Sequence, residues 1–411
     1  MDQGILSMRR IVITGMGGIC ALGHTTSDIW QAMTEGRSGI GPVHHIEAKY
    51  LRNNAIAAEI SDFDPLQYID ETRVPFLDPL SQYALVAAGE AIRQSGLDFR
   101  GERAARTAIV VGVGSAGEET REGLYRQLYA EQASRFHPLG IVRIMSNAPA
   151  SHISMVHGIT GPTFVVSSAC ASSNHAFAQA AMMIRAGLVD AAIAGGTEAC
   201  ITLGVLRAWE AMRVMAPDTC RPFSAKRRGM VLGEGSGIFV LETLESARAR
   251  GATILAELAG VGMSADAGDI AAPSEVGAAA AMRQALQDAG MQPADIDYIN
   301  AHGTGTAAND ATETRAIHHV FGEHAPRLAV TSTKPMHGHA LGAAGALEMI
   351  AVLGALRDGI VPPTLNYLGA DPACDLDYVP HEARAMQVRA ALSNSFAFGG
   401  LNAVVALRQA P

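Results

Sequence analysis

Residues 163–187 read TFVVSSACASSNHAFAQAAMMIRAG, and the order of residue types in this stretch decides the class of fold. Thr163–Ser167 is β-branched and aromatic, as a short buried strand requires. Small residues and Cys170 follow, and an amphipathic, Ala-rich stretch (Ala176–Ala186) begins almost at once. Strand, tight corner and helix in succession form the building unit of an α/β protein. A thiol at that corner lies at a helix N-terminus, where the partial positive charge and free N–H groups favour thiolate. Such a corner equally suits a small buried residue, since unpaired Cys is common in cores. The segment alone does not choose between the two.

Outward from this segment the same alternation recurs. Strand candidates are Arg10–Thr14, Ala108–Gly112, Thr163–Ser167, Ala191–Gly195, Gly237–Leu241, Ile254–Val261, Asp297–Asn300, Ala329–Ser332, Ala390–Ser393 and Ala403–Leu407. Amphipathic stretches lie between them, among them Ser81–Gln94, Glu275–Ala289 and Leu341–Leu356. Each expected helix stops at or just short of a glycine (Gly96, Gly187, Gly290, Gly359), where a left-handed C-cap belongs. No Pro-, Ser- or charge-rich linker divides the chain. A new strand–helix series starts near Arg248–Thr253, which divides it into residues 1–252 and 253–411, two halves of related design sharing one interface.

Composition narrows the function classes. The 411 residues are 48% apolar, 17% charged and 5% aromatic, with 43 Gly, which excludes disorder, a coiled coil and a disulfide scaffold. Lys plus Arg (31) against Asp plus Glu (40) gives −9, so nucleic acid is not the expected partner. Arg9-Arg10 before IVITGMGG has a twin-arginine look, but no small-residue cleavage site follows and a first strand ending in a glycine turn reads better. No apolar run of ~18 residues exists to span a membrane. The five Cys lack the short spacings of a zinc cage or disulfide frame and read as reduced thiols in a cytoplasmic protein.

Gly112-Val-Gly114-Ser-Ala-Gly117 matches G-x-G-x-x-G after a strand, yet Glu118–Arg135 is polar and helical and no second strand comes in range. Gly15-Met-Gly17-Gly18 lacks the third glycine. Tight turns at strand ends account for both, and no nucleotide cofactor is expected. Asp297-Tyr-Ile-Asn-Ala-His302-Gly-Thr304-Gly-Thr306 places a His directly after a strand, with Gly303 and Gly305 stripping bulk from around the imidazole. Thr331-Ser-Thr-Lys334-Pro-Met-His337-Gly-His339 again follows a strand and runs into a helix that His339 begins. A zinc set of His302, His337 and His339 is discounted, because the helical i, i+4 pair and Cys ligands are missing and Lys334 opposes a dication. No metal is expected. His44-His45 and His318-His319 read as solvated neighbours. Ser393-Asn-Ser-Phe396-Ala-Phe398-Gly399-Gly400-Leu-Asn402 follows another strand; its glycines free backbone N–H groups, and Phe398 suits the shield of an apolar channel.

One Cys and two His, each after its own strand, suit carbon–sulfur and carbon–carbon chemistry. Together Cys170, HGTGT at 302–306, Lys334 with Gly338-His339, and FGG at 398–400 resemble the β-ketoacyl-acyl-carrier-protein synthases, closest to the elongating synthase II-like type. The resemblance runs essentially the whole chain. It implies a thiolase-type αβαβα five-layer fold of two similar halves, normally a homodimer, with no cofactor. It implies that Cys170 takes an acyl chain from acyl carrier protein, and that His302 and His339 stabilise the enolate left when malonyl carrier protein loses CO2. The Cys170 and Phe398 N–H groups would form the oxyanion hole, Phe398 the gate, and Lys334 and Glu348 the support for the His loops. Thr304, Thr306, Gly399 and Gly400 would belong to the substrate loops, and Arg135 and Arg213 to the carrier-docking surface, with Arg126, Lys226, Arg227 and Arg228 adding charge.

The chain departs from the family pattern in places. Its closing loop reads AFGGLN where GFGGTN is usual, His337 stands where Thr or Ser is commoner, and Ile69-Asp-Glu-Thr-Arg73 carries two acids where a basic helix often greets the carrier. These differences suit a specialised branch making unusual acyl chains, such as a nodulation-type synthase. Thiolysis would need a second active Cys near the C-terminus, and Ser393–Asn402 offers none. A non-catalytic chain-length partner usually lacks the nucleophile, which Cys170 supplies.

Overall fold

The computed structural model describes residues 9–51 and 55–411; residues 1–8, the start of the expected first half, and 52–54 lie outside it. Ten strands make one mixed sheet: β1 (Ile11–Cys20), β2 (Thr107–Gly112), β3 (Thr163–Val166), β4 (Ala191–Glu198), β5 (Gly235–Thr243), β6 (Ala256–Ala265), β7 (Tyr298–Asn300), β8 (Ala329–Thr331), β9 (Ala390–Ala397) and β10 (Leu401–Gln409). Each expected strand falls on one of them. Their spatial order is β8-β7-β9-β10-β6-β1-β5-β4-β2-β3. From the centre outward one arm therefore runs β1-β5-β4-β2-β3 and the other β6-β10-β9-β7-β8, the same order twice. Pairing directions repeat as well: β1–β5, β5–β4, β6–β10 and β10–β9 are antiparallel, and β4–β2, β2–β3, β9–β7 and β7–β8 are parallel. A ladder of three residues, Ile11–Ile13 against Leu258–Ala256, joins the arms.

Five longer helices build the layers: α1 (Pro79–Ser95), α2 (Ser172–Arg185), α3 (Glu275–Ala289), α4 (Ala307–Phe321) and α5 (Ala344–Asp358). α2 and α5 each touch strands of both arms and lie between them, while α1 covers the outside of one arm and α3, backed by α4, the outside of the other. The result is αβαβα, the thiolase-like arrangement. The middle layer explains the Ala-rich helices. Residues such as Ala176, Ala180, Ala346 and Ala351 are fully buried between two sheet surfaces, where larger side chains would hold the layers apart.

The glycines of β1 correct one expectation. They do not end the strand in a turn but lie inside it, and β1 runs on to Cys20. A Cβ on Gly15 would stand 2.1 Å from the Ala91 carbonyl oxygen, and one on Gly17 1.9 Å from that of Ala87. The cluster exists so that α1 can lie directly on the strand. Gly112 and Gly114 have the same purpose, since added Cβ atoms would strike the backbones of Ser172 and Gly342. Helix ends follow expectation: Gly96, Gly290 and Gly359 are left-handed C-caps, and the side chains of Asp78, Ser274 and Thr306 cap α1, α3 and α4.

Candidate active site

Between β3 and α2 the chain makes a sharp corner. Ala169 is left-handed (φ 49°), which costs an L-residue about 1–2 kcal/mol. The Ser172 hydroxyl holds it there, accepting from the Ser168 N–H at 2.9 Å and donating to the Ala169 carbonyl at 2.7 Å. Cys170 is thereby turned out at the tip of the corner, close to the N-terminus of α2.

The second arm supplies the imidazoles. His339 does not begin a helix; it lies in extended backbone, donating to the Val231 carbonyl at 2.7 Å and accepting from the Gly233 N–H at 3.1 Å. α5 starts only at Ala344, after a short turn, Leu341–Ala343. This places His339 Nε2 3.2 Å from Cys170 Sγ. His302, on the loop after β7, meets it edge to face, ring centroids 5.4 Å apart. One ligand-type atom from each of Cys170, His302 and His339 lies within 4.8 Å of the others. These are the described residues that would hold a soft metal ion, though the Lys334 ammonium behind His302 disfavours a dication there. His337 stands apart, fully buried, with Nε2 2.9 Å from Thr333 Oγ1.

Protonation departs from the sequence expectation. Burial pushes the Cys170 thiol up to about 12, and the opposing pull of Lys334 does not offset it. The helix end pulls in the same direction as Lys334, but the cost of burying a charged thiolate is the largest influence and favours the thiol. Burial, reinforced by Lys334, holds both His302 and His339 well below the ordinary imidazole range, and both are neutral. Neither Nδ1 has a hydrogen-bond partner among the described residues. A buried acceptor left unpaired costs less than a buried N–H left unpaired, which favours the proton on Nε2 of each ring.

The support beneath is extensive. Lys334, fully buried, donates from Nζ to the His302 carbonyl and pairs with Glu348, whose carboxyl is pushed up to about 7 by burial. Sequence reasoning missed Glu313, which accepts from the His302 and Gly303 N–H groups, each at 2.9 Å, and from Asn394 at 3.1 Å. It also missed Glu198, which accepts from the N–H groups of Gly114 and Gly342, both at 2.9 Å, and clamps the two arms together. Acids in the first turns of a helix look solvent-facing in sequence; the i, i+3 pair Asp310 and Glu313 directly after HGTGT was the available signal. The glycines of that loop serve packing: a Cβ on Gly303 would strike Ser332 and one on Gly305 the Gly229 carbonyl.

A cavity of about 110 Å³ opens on the trio, lined by Cys170, His302, His339, Thr304, Thr306, Phe396, Phe398 and Gly400. Gly399 lies outside the lining and is exposed. The loop at Asp266–Pro273, unforeseen from sequence, closes the other side and is bonded to the Phe398 loop: Gly399 N–H donates to the Ile270 carbonyl (2.8 Å) and Asp266 N–H to that of Gly400 (2.9 Å). On the surface Arg135, Arg213, Arg126, Lys226 and Arg228 are exposed. Arg227 is not available for docking. Its side chain is 6% exposed, pairs with Asp371 and lies 3.7 Å from Asp310, bracing the HGTGT loop from below. His45 is not merely solvated either; it is held between Glu59 and the Ile201 carbonyl.

A Cys and two neutral His, brought together where two like arms meet beside an apolar cavity, define a condensing enzyme of the thiolase fold that transfers acyl groups. The chain belongs to the β-ketoacyl synthase family: residues 8–247 match the Beta-ketoacyl synthase, N-terminal domain, and residues 255–368 the Beta-ketoacyl synthase, C-terminal domain. It is 52% identical over 401 residues to Nodulation protein E of Rhizobium sp. (strain N33), covering 98% of this chain and 99% of that protein. It is 40% identical over 410 residues to 3-oxoacyl-[acyl-carrier-protein] synthase 2 of Coxiella burnetii, with the same coverage. Among solved structures, the ishigamide ketosynthase/chain length factor superposes with a TM-score of 0.92 at 36% identity, over 98% of this chain and 100% of that one. Among the described residues no helix is long and apolar enough to cross a membrane.

Proposed function

We propose that this protein condenses an acyl chain held on Cys170 with malonyl carrier protein, extending it by two carbons. The observation that carries this reading is the 3.2 Å contact between Cys170 Sγ and His339 Nε2 with His302 beside them. Cys170 attacks the acyl thioester, the carrier leaves as a thiol carrying the cysteine's proton, and the chain stays as a thioester. Malonyl carrier protein then loses CO2, and the Nε2–H groups of His302 and His339 donate to the enolate oxygen. The carbanion attacks the Cys170 thioester, whose oxyanion is received by the Cys170 and Phe398 N–H groups. Collapse releases the 3-oxoacyl carrier, and Cys170 takes a proton from solvent. Lys334 and Glu348 position the His302 loop, Thr304 and Thr306 face the incoming substrate, Gly399 gives the Phe398 gate room to move, and Gly400 lines the cavity beside it.

The same proposal includes the remaining assignments. The chain divides at 252/253, which the repeated strand order supports. Acyl carrier protein docks near Arg135 and Arg213; the name of the Coxiella relative includes that carrier. Edge strand β3 pairs on one side only, and Phe164 on it, with Met155, Val156 and Met182 on neighbouring helices, is apolar and exposed, which supports a homodimer across this edge. Five free, buried thiols suit the reducing cytoplasm. Incubating the protein with acyl- and malonyl-carrier protein tests the reading: CO2 and a ketoacyl product are expected, and the absence of both would sink it.

A specialised synthase for unusual acyl chains is the second reading. It is favoured by the higher identity to Nodulation protein E (52%) than to synthase 2 (40%). Product chain lengths by mass spectrometry, with carriers bearing varied acyl loads, separate it from a housekeeping enzyme.

A further inference from the structure

Phe398 does not stand alone over the cavity. Its ring is stacked on that of Trp209, centroids 5.9 Å apart and planes 26° apart. Trp209 sits in the last turn of the helix Leu203–Ala211, half-buried, and lines the same cavity as Cys170 and the two imidazoles. Behind the indole an apolar cluster runs through Val205, Leu206 and Met230 to Cys170 itself. The Phe398 loop has steric room at one point: Gly399 is left-handed (φ 83°), exposed, and a Cβ there would meet nothing within 4 Å. Gly400, by contrast, is pressed against Asp266. The Trp209 stack thus holds the ring itself, while hydrogen bonds from Gly399 to Ile270 and from Asp266 to Gly400 hold its loop.

We propose that Trp209 is the latch of the Phe398 gate, a positioning residue that keeps the ring over Cys170 until an acyl chain on Cys170 competes for the indole face. This deepens, and rests on, the condensing-enzyme reading. A ligand moves a two-state loop only by its differential contacts with the two states, and an acyl chain gains apolar contact with the indole only where Phe398 gives it up. A stacked aromatic pair biases such a loop roughly two- to thirteen-fold.

The chain has two Trp, and Trp30 lies elsewhere, its Nε1 bonded to Asp358, so the spectrum of wild type minus that of W209F reports Trp209. Acylation of Cys170 by an acyl-carrier-protein thioester, followed by intact mass, is expected to change Trp209 emission in the wild type. W209A is expected to raise malonyl decarboxylation by unacylated enzyme, relative to condensation, by roughly two- to thirteen-fold, and W209F, which keeps a stackable ring, to fall back toward the wild-type ratio. Full acylation with unchanged emission, or a W209A ratio equal to wild type, overturns the latch. No mass gain on Cys170 overturns the condensing reading itself, and the latch with it.

Discussion

Cys170 is 5% exposed and stands next to a neutral imidazole, so its proton has to be moved inside a dry site. With the thiol pushed up to about 12, the thiolate fraction grows tenfold per pH unit throughout the ordinary range. Iodoacetamide modification of Cys170, followed by mass mapping, should therefore steepen about tenfold per unit from pH 7 to 9; a plateau near neutrality would reveal a preformed thiolate instead. The imidazoles carry a separate expectation. On the proposed mechanism, removing either in H302A or H339A takes away one donor to the enolate oxygen and should lower malonyl decarboxylation about 10²–10³-fold. C170Q, which removes the proposed nucleophile and keeps both imidazoles, should abolish condensation while decarboxylation persists; condensation surviving that change would mean another group attacks.

At the scale of elements, stability rests on close approach and on a few clamps between distant segments. G17A would drive a Cβ to 1.9 Å from a backbone carbonyl of α1, which cannot yield like a flexible side chain. Overpacking of this kind costs about 1–3 kcal/mol, read as a lower midpoint in urea unfolding. Glu257 on β6 clamps Arg10 ahead of β1 and Arg408 on β10. Burial alone would raise its carboxyl, but the bonds to Arg10 and Arg408 win and hold it at about 2. Its stabilisation is therefore full above the ordinary Glu value of about 4.3 and is lost as pH falls from there through 2. E257Q should cost about 1–2 kcal/mol at pH 7, allowing for solvent around the half-exposed arginines, and the difference from wild type should vanish toward pH 2.

On the scale of the whole molecule, the repeated arm order places Cys170 after a strand of one arm and His302 and His339 after strands of the other. The site therefore exists only when the arms are docked through α2 and α5, and unfolding should remove it in one step. The exposed apolar edge around Phe164 predicts a dimer by sedimentation at micromolar concentration. Phe164→Asp, a charge on that edge strand, should give monomers without loss of secondary structure; an unshifted dimer would place the interface elsewhere. All ten strands were legible because β-branched runs between glycines and Ala-rich helices are local signals. The glycines of β1 were misread because smallness and backbone freedom look alike until a neighbouring helix is in place. Glu313 and Glu198 were invisible for a related reason: nothing local distinguishes a carboxylate that clamps buried N–H groups from one that faces water.

By itself the sequence determined which segments are strands and helices, and that one thiol and two imidazoles each follow a strand. It did so because side-chain periodicity and turn residues act over a few positions. Only the tertiary structure decided that the order of strands is repeated, that Cys170 and His339 stand 3.2 Å apart across 169 residues, and that the thiol keeps its proton. Distance and desolvation belong to the packed arrangement, since both depend on which distant segments shut water out of the site.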